Sequence, residues 1–227
     1  MRKLIISCLS LASLSVTCLL PLQAAAVDRT NSDISFTEDR DPTAPKDPAD
    51  PSKTGPVGDT DNQATGSEGP LSLDVVPTVF DFGQAKVAVK EQTYSAEATT
   101  NVQYLQVTDK RTDRNGWTLT AERNEFHTQG NTLVLTGSTL IFPAGTVKNE
   151  LTQGGTPNGL VTTAVEMVAD TSYTMFSTAS NGATIGKLTS TKYWAGADVQ
   201  LKVPAMTAKV GDYTATINWT LAATTTR

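Results

Sequence analysis

Every second residue is apolar in one segment near the end of the chain, Tyr213-Thr-Ala-Thr-Ile-Asn-Trp-Thr-Leu221. The residues between them are threonine or asparagine. Successive side chains of a β-strand point to opposite faces, so this alternation predicts a strand with one apolar and one polar face. β-branched and aromatic residues fit such a half-buried surface. We therefore expect this strand to close a sheet against the hydrophobic core.

The end of that strand, Trp219-Thr-Leu221, has a counterpart in the middle of the chain. Asn115-Gly-Trp-Thr-Leu119 repeats the tripeptide directly after an Asn-Gly pair, which is a strong turn signal. We interpret residues 102–108 and 116–123 as the two strands of a hairpin, with Trp117 at the start of the second strand. Trp and Leu two residues apart share one face of a strand, so each pair is either core or contact surface.

The region from residue 70 to residue 227 consists of short apolar runs separated by Gly, Pro, Asn and Asp, and no segment keeps a helical period over three turns. This pattern is typical of an all-β protein, and we predict a β-sandwich-like single domain. Further strand candidates are residues 71–76, 133–135, 139–142 and 197–203. A long loop is expected between residues 143 and 160.

The first 69 residues divide into two segments. Residues 1–26 have the positive start, the apolar stretch and the small-residue end of a secretory signal peptide, and they contain both cysteines. Their removal would leave a secreted chain without disulfides and without a transmembrane segment. Residues 27–69 carry 10 acidic and 4 basic side chains and few large apolar ones. We predict that they form a disordered acidic spacer rich in Pro, Asp and Thr.

The sequence offers little for catalysis. It contains one histidine, His127, and no Gly-x-Ser-x-Gly motif, so no catalytic triad is expected. Glu122 and Glu125 lie three apart and would point to opposite faces of a strand, which does not suit a glycosidase pair. One histidine and no cysteine after residue 26 argue against a metal site or cofactor. The formal net charge of −5 argues against nucleic acid as a partner. We predict a protein that is not an enzyme.

Three segments together resemble the WxL-domain surface proteins that bind the cell wall of Gram-positive bacteria. They are Gly69-Pro-Leu-Ser-Leu-Asp-Val-Val-Pro-Thr-Val-Phe-Asp-Phe-Gly83, Asn115-Gly-Trp-Thr-Leu119, and Val203-Pro-Ala-Met206 followed by residues 211–221. The resemblance implies that residues 70–227 form a WxL-like cell-wall-binding domain. It implies a secreted protein held non-covalently at the cell surface, with peptidoglycan as the ligand. By the same resemblance, the ligand-binding residues would be Trp117, Leu119, Trp219 and Leu221.

The resemblance also implies partners, namely other WxL-type surface proteins and a membrane-anchored protein. A second hypothesis is therefore a structural or adhesive subunit of a surface complex, whose wall association depends on partner proteins. The five apolar residues along one face of residues 213–221 favour a core position for Trp219. Trp117 follows a turn and its strand is less cleanly apolar, so we expect it to be the better ligand-contact candidate of the two motif tryptophans.

Overall fold

The computed structural model describes residues 30–113, 115–152, 159–179, 182 and 184–224. These residues form β-strands and three short 3-10 turns, with no α-helix among them, which confirms the predicted all-β class. The strands are β1 (Asn62–Ala64), β2 (Leu71–Pro77), β3 (Gln92–Ser95), β4 (Gln103–Asp109), β5 (Trp117–Arg123), β6 (Thr139–Phe142), β7 (Thr146–Asn149), β8 (Leu160–Val161), β9 (Val165–Met167), β10 (Tyr173–Thr178), β11 (Leu188–Trp194), β12 (Gln200–Val203) and β13 (Ile217–Ala223). The 3-10 turns are Gln129–Asn131, Glu150–Thr152 and Gly196–Asp198.

Two parts of the chain are distinct units. Thr37–Arg227 forms one compact unit, and the residues up to Phe36 form the other. Of the second unit the structure describes residues 30–36, which are exposed and contain neither strand nor helix. The predicted signal peptide, residues 1–26, lies outside the described residues. Within the described part of the chain, no helix is long and apolar enough to cross a membrane.

The strands of the compact unit pair antiparallel and divide into three sheets. The five-stranded sheet has the order β1-β2-β4-β11-β7. The sheet that we call the tryptophan sheet has the order β13-β5-β10-β8, and the third sheet has the order β3-β12-β6-β9. Side chains from all three sheets pack into one buried cluster, for example Leu105, Leu119 and Phe142. This shared core explains why the three sheets form a single unit.

Strands β4 and β5 do not form the hairpin that the Asn-Gly turn predicted. β4 lies between β2 and β11 in the five-stranded sheet, whereas β5 lies between β13 and β10 in the tryptophan sheet. The connection therefore crosses from one sheet to the other. An Asn-Gly pair signals a turn but does not specify which strands pair. Every residue of β4 is buried, so its two edges and both its faces are occupied by other parts of the chain.

The structure also differs from the predicted spacer of residues 27–69. From Thr37 onward this segment belongs to the compact unit, and β1 within it pairs with β2. Residues 37–58, which we call the arm, contact the side of the five-stranded sheet that faces away from the core. There the backbone N–H of Lys46 donates to Oε1 of Gln106 over 2.7 Å, and Nε2 of Gln106 donates to the carbonyl of Ala44 over 3.1 Å. The hydroxyl of Thr191 donates to the carbonyl of Pro48 over 2.7 Å.

These contacts explain why composition was misleading. Few large apolar residues predict disorder because apolar burial is the usual term that offsets chain entropy. In the arm, buried polar side chains of the sheet bind its backbone instead, and Gln106 and Thr191 are both fully buried. The closely spaced prolines also lower the entropy of the unfolded arm, so less is lost when it docks.

We predict that Thr191→Val loosens the arm. The change keeps the shape of the side chain but removes the hydrogen bond to the carbonyl of Pro48. That hydrogen bond contributes about 1 kcal/mol, so the arm should detach about fivefold more often without it. Trypsin cleavage after Lys46 and Lys53 should accelerate accordingly, as followed by mass spectrometry. Thr189→Val is the matched control, because the hydroxyl of Thr189 contacts Thr108 and not the arm. Equal cleavage of both variants would contradict the role of Thr191.

One cation lies in the core without an ion pair among the described residues. Lys192 on β11 is fully buried and is paired with Leu105 across the sheet, so it shares the core face. Its Nζ donates to the carbonyl of Met175 over 2.9 Å and lies 5.6 Å from the ring centroid of Trp194. Burial lowers the pKa of Lys192 to about 8, since removal from water disfavours the charged form.

This shift makes stability depend on pH. The pKa of Lys192 falls from 10.5 in the unfolded chain to about 8 in the folded one, so the unfolded state binds more protons between these values. The contribution of Lys192 to the free energy of unfolding should therefore increase as the pH rises from about 8 to 10.5, by on the order of 3 kcal/mol. Lys192→Met should lack this increase. Urea unfolding of both proteins from pH 7 to 10.5 measures the difference, and a constant difference would contradict the prediction.

Candidate functional site

The two Trp-Thr-Leu motifs are neighbours in the tryptophan sheet. β5 pairs with β13, and the register places Leu119 opposite Leu221, Ala121 opposite Trp219, and Trp117 opposite Ala223. Residues that are directly opposite each other in an antiparallel pair share a face of the sheet. The structure thus brings the four predicted site residues together on one face. The sequence showed two matching motifs but not that they lie side by side.

Trp117 and Leu119 are inaccessible from solvent, with exposed fractions of 0%. The indole Nε1 of Trp117 donates to the carbonyl of Gly186 over 3.0 Å, and its ring meets Phe176 edge to face at 4.9 Å. Gly186 has φ +66°, and a Cβ there would lie 2.8 Å from Nε1. The expectation that Trp117 is the better contact candidate of the two motif tryptophans is therefore wrong, because its side chain is buried. Its strand is central, with β10 on one side and β13 on the other.

A buried ionic cluster holds the backbone that leads into β5. Oδ2 of Asp109 accepts hydrogen bonds from Arg111 over 2.8 Å and from Lys187 over 3.0 Å. The same guanidinium donates from Nη2 to the carbonyls of Asn115 over 3.2 Å and Gly116 over 3.0 Å. The hydrogen bond that Arg111 donates to Asp109 raises the pKa of Arg111, so the guanidinium stays charged. This cluster fixes the crossover between the sheets and with it the start of β5.

Trp219 and Leu221 are half-buried, because β13 is the edge strand of the tryptophan sheet. The ring of Trp219 meets Phe142 edge to face at 6.4 Å on the core side. The predicted alternation is present, since Asn218 and Thr220 on the opposite face are exposed. The strand begins later than predicted, at Ile217. Before it, Thr214 exchanges backbone hydrogen bonds with His127 over 2.9 and 3.0 Å.

A small cavity of about 210 Å³ lies near these aromatic residues and was not foreseen from the sequence. Its lining includes three carboxylates (Asp61, Asp81 and Glu97), Phe80, and the buried Gln103, whose Oε1 has no hydrogen-bond partner among the described residues. Phe80 in turn contacts Phe142 edge to face at 5.2 Å. The lining comes from three separate segments, so no local pattern could have indicated it. Among the described residues, no group of three or more His, Cys, Asp or Glu side chains could hold a metal ion.

We predict that the two tryptophans contribute unequally to stability. Trp117→Ala should lower the free energy of unfolding by about 3–5 kcal/mol, because it leaves a cavity at a fully buried site and removes the hydrogen-bond donor of the Gly186 carbonyl. Trp219→Ala should cost roughly half as much, since its side chain is already partly in water. Urea unfolding followed by far-UV circular dichroism measures both. If Trp117→Ala does not fold, Trp117→Phe and Trp219→Phe preserve the comparison, and an equal loss in the two would contradict it.

Comparison with known proteins identifies the family of this chain. A family model described as WxL domain, surface cell wall-binding, matches residues 23–224, which include both motifs and the arm. No curated protein and no solved structure matches the chain. The match covers nearly the whole length, and it agrees with the paired Trp-Thr-Leu strands at the centre and edge of the tryptophan sheet. The chain therefore belongs to the WxL-domain family of surface proteins that bind the cell wall.

Proposed function

We propose that this protein is secreted and binds peptidoglycan non-covalently through the exposed edge of the tryptophan sheet, with Trp219 as the principal contact and Leu221 beside it. One observation carries this proposal. Of the Trp and Leu side chains of the two paired motifs, only those on β13 can be reached from solvent. An indole offers a large apolar face together with one N–H donor, which suits a sugar ring with C–H surfaces and hydroxyl groups.

Trp117 and Leu119 have a positioning role in this proposal. A wall polymer cannot touch either side chain in the folded domain, because both are fully buried. Their burial fixes β5, and β5 provides the backbone ladder on which β13 lies. The Trp and Leu of the motif are thus part of the core on β5 and are accessible from solvent on β13.

The proposed activity is binding without catalysis and without a cofactor. Support comes from the cell wall-binding description of the family and from the apolar character of the accessible motif. Incubation of the protein with isolated walls, followed by chromatography of the soluble fraction, tests the point. Time-dependent release of sugars or peptides would contradict it.

The second candidate function is that of a structural or adhesive subunit, whose wall association passes through other WxL-type proteins or a membrane-anchored protein. The feature that favours it is the same strand, because β13 lies at the edge of its sheet and could pair with another protein. The two candidates differ in one observable. Direct binding needs no second protein, whereas a subunit needs one.

Sedimentation with purified sacculi tests direct binding. The sacculi are stripped of proteins and of teichoic acids, and residues 27–227 are used because they contain the whole compact unit. The wild type should pellet, and Trp219→Ala should bind at least about tenfold more weakly, as expected for a central aromatic contact. Val203→Ala is the matched control, since it also removes buried apolar volume but lies on β12 in the third sheet.

The outcomes separate the candidates. If Trp219→Ala is folded and pellets like the wild type, Trp219 is not the contact and the proposal is wrong. If the folded wild type stays in the supernatant and pellets only after a wall extract containing surface proteins is added, the subunit role replaces direct binding. Circular dichroism melting curves establish in each case that the variant is folded.

A further inference from the structure

The edge strands of the three sheets differ in one respect. Six strands lie at sheet edges in the described part of the chain, and five of them are only two to four residues long, namely β1, β3, β7, β8 and β9. β13 is seven residues long and contains no charged residue and no proline. Its register with β5 runs without a bulge from Ile217 to Ala223. Proteins normally shorten, charge or bend their edge strands, because free N–H and C=O groups are a template for another strand.

The backbone groups that remain free on β13 can be assigned. The backbone N–H of Asn124 donates to the carbonyl of Thr216 over 3.3 Å, and the backbone N–H of Thr224 donates to the carbonyl of Gly116 over 3.0 Å. Even-numbered residues of the strand therefore direct their backbone groups towards β5. By the two-residue period of a strand, Ile217, Trp219, Leu221 and Ala223 direct theirs to the opposite side. On that side the described residues provide no pairing strand.

We propose that this edge pairs with β13 of a second copy of the chain, in an antiparallel arrangement with the two-fold axis at Thr220. This register is the one that overlaps all seven residues of the strand. It places Trp219 opposite Leu221 of the second copy and Ile217 opposite Ala223 of the second copy. These are the residues with free backbone groups, and each such pair exchanges two hydrogen bonds. The contact is isologous, as in most homodimers.

The strand itself indicates that its partner is a second copy. When two copies pair antiparallel about Thr220, Trp219 of each copy lies opposite Leu221 of the other, so a larger side chain meets a smaller one at both positions. Thr220 lies opposite Thr220 of the second copy. Residues 213–224 carry no charge, so the pairing brings no like charges together. Opposite side chains of an antiparallel pair lie about 5 Å apart on the same face, so Trp219 of one copy would lie beside Leu221 of the other. A single surface therefore supplies both halves of the interface.

Charged substitutions of Thr220, the residue on the proposed two-fold axis, test the pairing. Thr220 is exposed, and the polar contact that the structure records for it uses its backbone carbonyl, which accepts from Thr120 and would survive substitution. The wild type should sediment as a dimer at micromolar concentration. Thr220→Lys and Thr220→Asp should each weaken the dimer at least about tenfold, because two like charges meet at the closest pair of the interface. An equimolar mixture of the two variants should dimerise again.

Thr136→Lys is the control, because Thr136 is also exposed but belongs to no sheet edge. It should dimerise like the wild type. A wild type that is monomeric throughout the micromolar range would overturn the proposal. A Thr220→Lys variant that remains fully dimeric would overturn it as well. These measurements contain no wall material, so their result is independent of peptidoglycan binding.

A cross-link gives a second, position-specific measurement. Residues 27–227, which include the whole compact unit, contain no cysteine. Thr220→Cys in this background should then form a symmetric disulfide under mild oxidation, because the two Cα atoms at the axis would lie within the distance that a disulfide spans. Thr136→Cys should not. Equal cross-linking of the two, or none at residue 220, would contradict the register.

Discussion

The antiparallel pairing of β5 with β13 is the interaction on which the site depends. It joins residues 119 and 221, which are far apart in the chain, so the entropy of closing the intervening loop must be offset by the contacts that form. The apolar row of β5 supplies most of that offset, since Trp117, Leu119 and Ala121 are all buried. β13 pairs with one edge of this buried strand. The different exposure of Trp117 and Trp219 follows from their positions in the sheet, one in a central strand and the other in the edge strand.

Buried or largely buried cations hold β5 at both of its ends. Arg111 and Lys187 converge on Asp109 before the strand, and Arg123 ends it. The guanidinium of Arg123 is buried, donates to the carbonyls of Met167 and Ser138, and lies 5.2 Å from the ring centroid of Phe126. Burial lowers the pKa of Arg123, and several carbonyl acceptors offset the loss of water. No cysteine follows residue 26, so such polar contacts and the shared core hold the described strands together without disulfides.

Periodicity in the sequence predicted local structure well. The alternation around Trp219 correctly indicated a strand with a polar outer face, and the frequent turn signals correctly indicated an all-β domain. Pairing was harder, because an Asn-Gly turn is a local feature whereas the partners of β4 and β5 are set by tertiary packing. Exposure also depends on pairing, which is why Trp117 was expected to be the better contact candidate and lies in the core. The arm was missed for another reason, since its backbone is bound by Gln106 and Thr191, which lie far away in the sequence.

The edge position of β13 creates two separate opportunities for binding. Its side chains Trp219 and Leu221 lie on a face of the sheet, whereas its free N–H and C=O groups lie in the plane of the sheet. A glycan would be bound mainly by the face of the indole, and a second strand mainly by the backbone groups, so the two proposals draw on different atoms. A two-fold dimer would also bring two Trp-Thr-Leu motifs into one continuous sheet. Because a wall polymer repeats the same unit many times, two linked sites can be occupied together, and the second contact benefits from a high effective concentration. An uncharged edge strand that would be a hazard in a soluble monomer is therefore consistent with a protein that works on a repetitive surface.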